Sequence, residues 1–269
     1  MTNFIFTLGG IIFYTVCSVL LFCHVKNIAV VSNVVSKRAI LSVGFIGLAL
    51  HTLALQNSMF SPLGIDLGFY NAMSLITAFI VLLTLIATWR HPVEILAVLL
   101  LPTAAITLIF EFTGSSHHIL PNDTSNALIF HILTSIVAYS LLALAALQAI
   151  LLSIQNRLLH AHQPSGAIQL LPPLKSMETL LFEIIIVGFF ALTVSLGSGL
   201  IFLENMFAQQ LVHKTVLSIL AWFVFLILLM GHWKFGWRGR TAIRWTLSGF
   251  ISLMLAYFGS KFALEIVLS

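Results

Sequence analysis

The chain has 269 residues, of which 60% are hydrophobic and only 7% are charged, and its mean hydropathy is +1.10. Soluble domains have about a quarter of their residues charged, so this composition excludes an ordinary soluble protein and predicts a polytopic membrane protein. The formal net charge of +4 comes mainly from residues between the apolar stretches. We therefore expect the lipid bilayer as a partner and no nucleic acid.

Eight apolar stretches are long enough to cross a bilayer, which requires about 20 residues. They lie at roughly residues 4–24, 39–56, 67–88, 94–112, 126–155, 178–203, 210–231 and 242–267. The connections between them leave little chain for a soluble domain. We predict an all-α, polytopic transmembrane helix bundle that occupies residues 1–269 as a single domain.

The basic residues predict the orientation of these spans. Of the 12 Lys and Arg residues, two (Lys214 and Lys261) fall on one side and the other ten on the opposite side. Loops rich in Lys and Arg stay in the cytoplasm. We therefore predict that both termini lie outside and that the protein is a multi-pass protein of the cell inner membrane. The ten are Lys26, Lys37, Arg38, Arg90, Arg157, Lys175, Lys234, Arg238, Arg240 and Arg244.

The first span contains both cysteines, Cys17 and Cys23. They are six residues apart and match neither CxxC nor CxxCH, so thiol redox chemistry and covalent heme attachment are not expected. Farther along, Glu94 and Glu178 are expected in the first turns of spans four and six, where the helix dipole favours a carboxylate.

Three histidines share one depth in the outer half of the predicted bundle: His51 on span two, His131 on span five and His213 on span seven. Polar groups at this depth are costly next to lipid, so we expect them to face a common cavity. Two or three imidazoles in an apolar bundle suit a heme iron, for which histidine is an axial ligand. Lys214 either lines the same cavity, where it would neutralise a heme propionate, or snorkels to the interface.

Other polar residues at this depth leave a second function open. Glu111 lies at the C-terminus of span four, where the helix dipole disfavours a carboxylate, so helix capping does not explain it. Together with Lys261, Glu265 and the histidines, it would suit an ion or solute transporter subunit. A third interpretation is a regulatory partner of another inner-membrane protein. The sequence shows no HExxH motif and no Ser-His-Asp arrangement within a loop, so we expect no enzyme activity.

Four stretches resemble the integral-membrane cytochrome c assembly family of heme-handling proteins (the CcsA/HemX-like proteins), and more closely its short HemX-like members. They are "FSPLGIDLGFYNAMSLITAF" (60–79), "IFHILTSIVAYSLLALAALQAILL" (129–152), "SMETLLFEIIIVGFFALTVSLGSG" (176–199) and "GWRGRTAIRWTLSGFISLMLAYFGSKF" (236–262). Their order and spacing carry the resemblance, and the last stretch is the most specific.

The resemblance implies heme b as cofactor, a role in cytochrome c assembly, and other assembly or inner-membrane proteins as partners. It places the family's first outward-facing histidine at His131. The larger members carry a tryptophan-rich loop, WGxxWxWD, which is replaced here by "GLIFLENMFAQQLVHKTVLSILAW" (199–222). We expect His131 and His213 as ligands of the heme iron, with His51 and Lys214 as further cofactor-binding residues.

Overall fold

The helices of this protein fall into two compact units. The computed structural model of the protein describes residues 2–28, 35–114, 118–160, 171–202 and 212–259. Unit 1 comprises Met1–Asn122 with Gln169–Pro172, and unit 2 comprises Asp123–Ile168 and Pro173–Ser269.

The described residues of unit 1 form four helices and a small sheet. The helices form over apolar runs, and the turns between them contain Gly, Pro or polar residues. The sheet has the order β1-β2-β3, with both pairs antiparallel. The elements are α1 (Thr2–Val25), α2 (Lys37–Met59), β1 (Phe60–Ser61), β2 (Gly64–Asp66), α3 (Phe69–Arg90), α4 (Glu94–Thr113) and β3 (Ile119–Pro121).

The small sheet joins the α2–α3 connection to the segment after α4. Gly64 has a φ of 139°, and a Cβ atom there would lie 2.0 Å from the carbonyl oxygen of Leu120, so this position requires glycine. Asp66 is buried, and its Oδ1 accepts the backbone N–H groups of Gly68 and His118, both at 2.9 Å. One carboxylate thus holds both connections together.

The core of unit 1 is formed where α1 packs against α2 and α4. Cys17 Sγ donates to the carbonyl oxygen of Ile40 at 3.3 Å, and Ser18 Oγ donates to that of Val98 at 2.9 Å. Tyr14, one turn earlier on α1, reaches His51, which is farther along α2. This register makes α1 antiparallel to α2, because later residues of one face earlier residues of the other.

The described residues of unit 2 form four further helices: α5 (Asn126–His160), α6 (Leu174–Phe202), α7 (Val212–Phe235) and α8 (Gly239–Met254). A π-helical turn, Leu255–Gly259, continues α8. Helix α5 packs along α6 and against α8, while α7 packs against α8. Ser252 Oγ donates to the carbonyl oxygen of Leu217 at 2.9 Å, which ties α8 to α7.

The start of α8 corrects one prediction. Glu178 was expected in the first turn of its own helix, but α6 begins four residues earlier, at Leu174. Its Oε1 instead accepts the backbone N–H of Gly239, the first residue of α8, at 2.9 Å. Glu178 therefore supports the positive end of a neighbouring helix. Glu94 does lie in the first turn of α4, as predicted, and its Oε1 is 2.6 Å from Lys37 Nζ.

The predicted all-α, polytopic helix bundle is confirmed. Among the described residues, seven helices, α1 to α7, are long and apolar enough to cross a membrane. Helix α8 has 16 residues, fewer than the predicted eighth span, and residues 260–267 of that span lie outside the described residues. The sheet was not predicted. The placement of the termini outside remains a prediction.

Candidate functional site

His131 is the centre of a polar cluster between α5 and α6, which we call the His131 cluster: His131, Ser135, Ser195 and Ser198. His131 Nδ1 lies 2.9 Å from the carbonyl oxygen of Ser195 and 3.1 Å from Ser198 Oγ. Ser135 Oγ and Ser195 Oγ are 2.6 Å apart. Ser195 and Ser198 are buried, whereas His131 is half-buried.

The hydrogen bonds of the His131 cluster select the tautomer of the imidazole. A carbonyl oxygen can only accept, so Nδ1 carries the hydrogen in the neutral ring. Nε2 then presents a lone pair, and it makes no hydrogen bond within the part of the chain that the structure describes. A ring oriented through Nδ1 with its Nε2 lone pair available is the arrangement that metal-ligating histidines use.

An aromatic group lies deeper along the same helix. Tyr139, two turns after His131, has its ring centroid 5.5 Å from that of Phe250 and 5.8 Å from that of Tyr257. These contacts join α5 to α8 and its π-helical turn. The half-buried imidazole is thus followed by an aromatic, largely apolar surface within unit 2.

A second polar cluster lies in unit 1 and links all four of its helices. Tyr14 Oη lies 3.0 Å from His51 Nδ1, and His51 Nε2 lies 2.8 Å from Ser74 Oγ. Ser74 Oγ donates to Glu111 Oε2 at 2.7 Å, and Ser58 Oγ donates to Glu111 Oε1 at 2.6 Å. Tyr14, His51 and Ser74 have no exposed surface, and 8% of Glu111 is exposed. We call these five residues the Glu111 network.

The remaining predicted site residues are less completely described. His213 lies on the first turn of α7, but its side chain lies outside the described residues. Lys214 follows it and is half-buried. Lys261 and Glu265, named for the transporter alternative, also lie outside the described residues.

The comparison with known proteins identifies the family. The sequence matches the family described as "Cytochrome C assembly protein" over residues 43–268, which is most of the chain. The chain belongs to the cytochrome c assembly protein family. The predicted resemblance is thus confirmed, and the match extends through both units.

The proteins to which the chain is similar include one named as an inner membrane protein. The inner membrane protein YpjD of Escherichia coli (strain K12) is 31% identical over 229 residues, which cover 82% of this chain and 85% of that protein. An uncharacterized 28.8 kDa protein in the nifR3-like 5' region of Azospirillum brasilense is 31% identical over 140 residues, or 51% of this chain and 52% of that protein. No solved structure matches the chain.

With seven membrane-length apolar helices among its described residues, this member of the cytochrome c assembly family is a multi-pass inner-membrane protein in contact with the lipid bilayer. The family match supports a role in cytochrome c biogenesis. The donor set at His131 fits a heme iron, which takes most of its ligands from the porphyrin and needs only axial ligands from the protein. Among the described residues, no three His, Cys, Asp or Glu side chains converge as they would around a bare metal ion.

The structure gives two histidines of the predicted layer, His51 and His131, different hydrogen-bonding surroundings. His131 has one oriented nitrogen and one with an available lone pair, whereas both nitrogens of His51 are already hydrogen-bonded. Ser135 was expected on the same helix face as His131, but the serines that contact these rings, Ser74, Ser195 and Ser198, were not anticipated. Their spacing offers little signal, because a serine on a helix usually bonds the carbonyl four residues earlier, as Ser140 does with Ile136.

Proposed function

We propose that this protein binds heme b through His131 and handles it during cytochrome c assembly, without catalysing a reaction itself. The observation that carries the proposal is the Nδ1 hydrogen bond from His131 to the carbonyl oxygen of Ser195, at 2.9 Å. This bond orients the imidazole and leaves the Nε2 lone pair as a ligand. The family match over residues 43–268 supports the assembly role.

Four residues of unit 2 have different proposed roles in binding heme. His131 would bind the heme iron through Nε2, and the iron would supply a Lewis-acidic centre at this position. Ser198, whose Oγ is 3.1 Å from Nδ1, would help to keep the ring in place. We include His213 as a second residue that would hold the iron and Lys214 as a cation that would pair with a propionate, because both lie on the first turn of α7.

We leave His51 out of the proposed ligand set. Its Nδ1 faces the Tyr14 hydroxyl at 3.0 Å and its Nε2 faces the Ser74 hydroxyl at 2.8 Å. Ligation of iron would require one of these buried hydrogen bonds to break, leaving a hydroxyl group without its partner. Other proteins of cytochrome c assembly or of the inner membrane are the partners that we propose.

The test is the absorbance spectrum of the purified, heme-loaded protein. His131→Ala should abolish or shift the Soret band and weaken heme binding, because it removes an axial ligand. His91→Ala is the matched control, since His91 is exposed and its ring makes no hydrogen bond to the described residues. Ser198→Ala should weaken binding by about tenfold or less, since loss of an orienting partner costs about 10–100-fold and the Ser195 carbonyl remains.

Two further variants separate the proposed ligands. His213→Ala should change the ligation state of the iron, and His51→Phe should leave the Soret band as in the wild type. Equal heme retention by the wild type and by a His131→Ala/His213→Ala double variant would reject the proposal.

A further inference from the structure

The Glu111 network is a complete chain of hydrogen bonds inside the apolar core of unit 1. It contains three titratable groups, Tyr14, His51 and Glu111, and none of them belongs to the proposed heme site in unit 2. Such a network is costly to bury unless each polar atom is satisfied. Its arrangement therefore needs an explanation of its own.

The donors of the network all point toward Glu111. The single hydrogen of Ser74 is donated to Glu111 Oε2, so Ser74 Oγ must accept from His51 Nε2. His51 Nδ1 is then the acceptor for the Tyr14 hydroxyl. The opposite direction would leave the hydroxyl hydrogen of Tyr14 without an acceptor among the described residues. The neutral Nε2–H tautomer of His51 therefore satisfies every member.

No cation balances a charge on Glu111 within the described residues. Lys37 forms an ion pair with Glu94, at the opposite ends of α2 and α4 from Glu111. An unpaired carboxylate within a membrane span is costly, and a buried carboxyl group usually takes up a proton instead. The surroundings of Glu111 must therefore accept a neutral form as well as an ionised one.

Ser58 can satisfy Glu111 both when its carboxyl group is neutral and when it is ionised. Its Oγ lies 2.6 Å from Glu111 Oε1 and 3.2 Å from the carbonyl oxygen of Leu55. When Glu111 is ionised, Ser58 donates to Oε1. When Oε1 carries a proton, that proton is donated to Ser58 Oγ, and Ser58 turns its own hydrogen to Leu55. The same heavy-atom positions fit both states, while Ser74 continues to donate to Oε2.

We propose that Glu111 is a reversible proton-binding site within the membrane, with Ser58 as its exchange route and the Tyr14–His51–Ser74 chain holding its second oxygen. Ser58 is half-buried on the last turn of α2, just before β1. On release, Glu111 Oε1 gives its proton to Ser58 Oγ as Ser58 gives its own hydrogen to water. Glu111 becomes a carboxylate, Ser58 is unchanged and the water gains one proton.

Other titratable groups lie on the elements around α4. Besides Tyr14 and His51, they are Cys17 on α1, Tyr70 on α3, whose ring packs against Gly114, and the buried Asp66 of β2. Cys17 Sγ donates to a backbone carbonyl, and Asp66 accepts two backbone N–H groups. Glu111 differs from Asp66 in its partners, because the carboxyl group of Glu111 accepts from the hydroxyl groups of Ser58 and Ser74.

The test is infrared spectroscopy of the full-length protein in lipid vesicles, following the carbonyl stretch of a protonated carboxylic acid during a pH titration. The wild type should show this band, lose it reversibly as the pH rises, and shift it in heavy water. Glu111→Gln should remove the band, because the amide keeps the shape of the side chain but cannot ionise. Glu94→Gln is the matched control and should leave it unchanged.

Ser58→Ala provides a second measurement that does not depend on a change at Glu111 itself. It should shift the band, because the acid group loses its acceptor, and should slow its exchange in heavy water. A band that persists in Glu111→Gln, one that does not respond to pH, or the absence of any carboxylic acid band in the wild type would each overturn the proposal. The readout is independent of heme, so these outcomes are separate from those of the His131 variants.

Discussion

At the scale of single residues, two histidines with the same predicted depth differ in what their nitrogens contact. His131 uses Nδ1 on the backbone of Ser195, whereas His51 uses both nitrogens within the Glu111 network. Depth along a helix follows from counting residues, but the partner of a side chain depends on the rotation of each helix. The sequence therefore predicted that His51 and His131 lie within the helix bundle and could not predict which side chains they contact.

For Glu111, the sequence identified an unusual position but not its partners. Its position at the end of an apolar helix, where the dipole disfavours a carboxylate, marked it as unexplained by capping. The structure supplies the partners, Ser58 and Ser74, from two other helices. These serines are ordinary residues in sequence, and only the packing of α2, α3 and α4 gives them a role.

Removal of the Tyr14 hydroxyl tests how much the network stabilises unit 1. Tyr14→Phe keeps the ring, which packs against Gly47, but leaves His51 Nδ1 buried without its donor. A buried acceptor without a partner costs about 1–3 kcal/mol. The free energy of unfolding in detergent micelles, from a denaturant titration, should fall by this amount.

Tyr70→Phe is the control for Tyr14→Phe. The Tyr70 ring packs against Gly114, but its hydroxyl makes no hydrogen bond within the described part of the chain. We expect little change in unfolding free energy from this variant. Equal stability of Tyr14→Phe and the wild type would show that the hydroxyl contributes nothing to the network.

At the scale of elements, apolar length predicted the helices well because each span ends where polar or turn-forming residues begin. The predicted 94–112 and the observed Glu94–Thr113 differ by one residue at the C-terminal end. The sheet was missed because strands of two or three residues are too short to show an alternating pattern. The pairing of β2 with β3 depends on Gly64 and Asp66, which contact Pro121 and His118, more than 50 residues farther along the chain.

Helix α8 depends on a carboxylate from another element. Glu178 Oε1 accepts the N–H of Gly239 at 2.9 Å, and Gly239 has a φ of 52°. Arg238, the residue before the helix, provides no side-chain cap. The sequence marked Glu178 as a residue that favours a helix dipole, but assigned it to the wrong helix.

Glu178→Ala should therefore loosen the start of α8. The loss of a carboxylate at a helix N-terminus costs about 0.3–1 kcal/mol, and up to about 2 kcal/mol when the site is partly buried. Hydrogen exchange followed by mass spectrometry should show faster exchange in the first turn of α8. Glu183→Ala, which replaces an exposed carboxylate on the same helix α6, should leave this exchange unchanged. Identical exchange in the Glu178 variant and the wild type would contradict the capping role.

At the scale of the whole molecule, the distribution of charge bears on the orientation in the membrane, and it is clearest in unit 1. In unit 1, the end of the helices that carries the sheet has no Lys or Arg in the residues from Asn57 to Tyr70 or from Glu111 to Ser125. The four basic residues of this unit, Lys26, Lys37, Arg38 and Arg90, are all in or next to the connections at the other end. In unit 1, the basic residues thus lie at one end of the helices, which is the distribution that the predicted orientation assumes.

Orientation is the prediction on which the sidedness of both proposed sites depends. Because basic connections remain in the cytoplasm, the end of unit 1 with the sheet should face outward, and the start of α8, with Arg238 and Arg240, should face inward. A phosphatase reporter that is active only outside the inner membrane should be active when fused after Gly114 and inactive after Arg240. A fluorescent reporter that folds only in the cytoplasm should give the reverse result. If both reporters gave the opposite pattern, Ser58 and His131 would open toward the cytoplasm, and Glu111 would exchange its proton with that side.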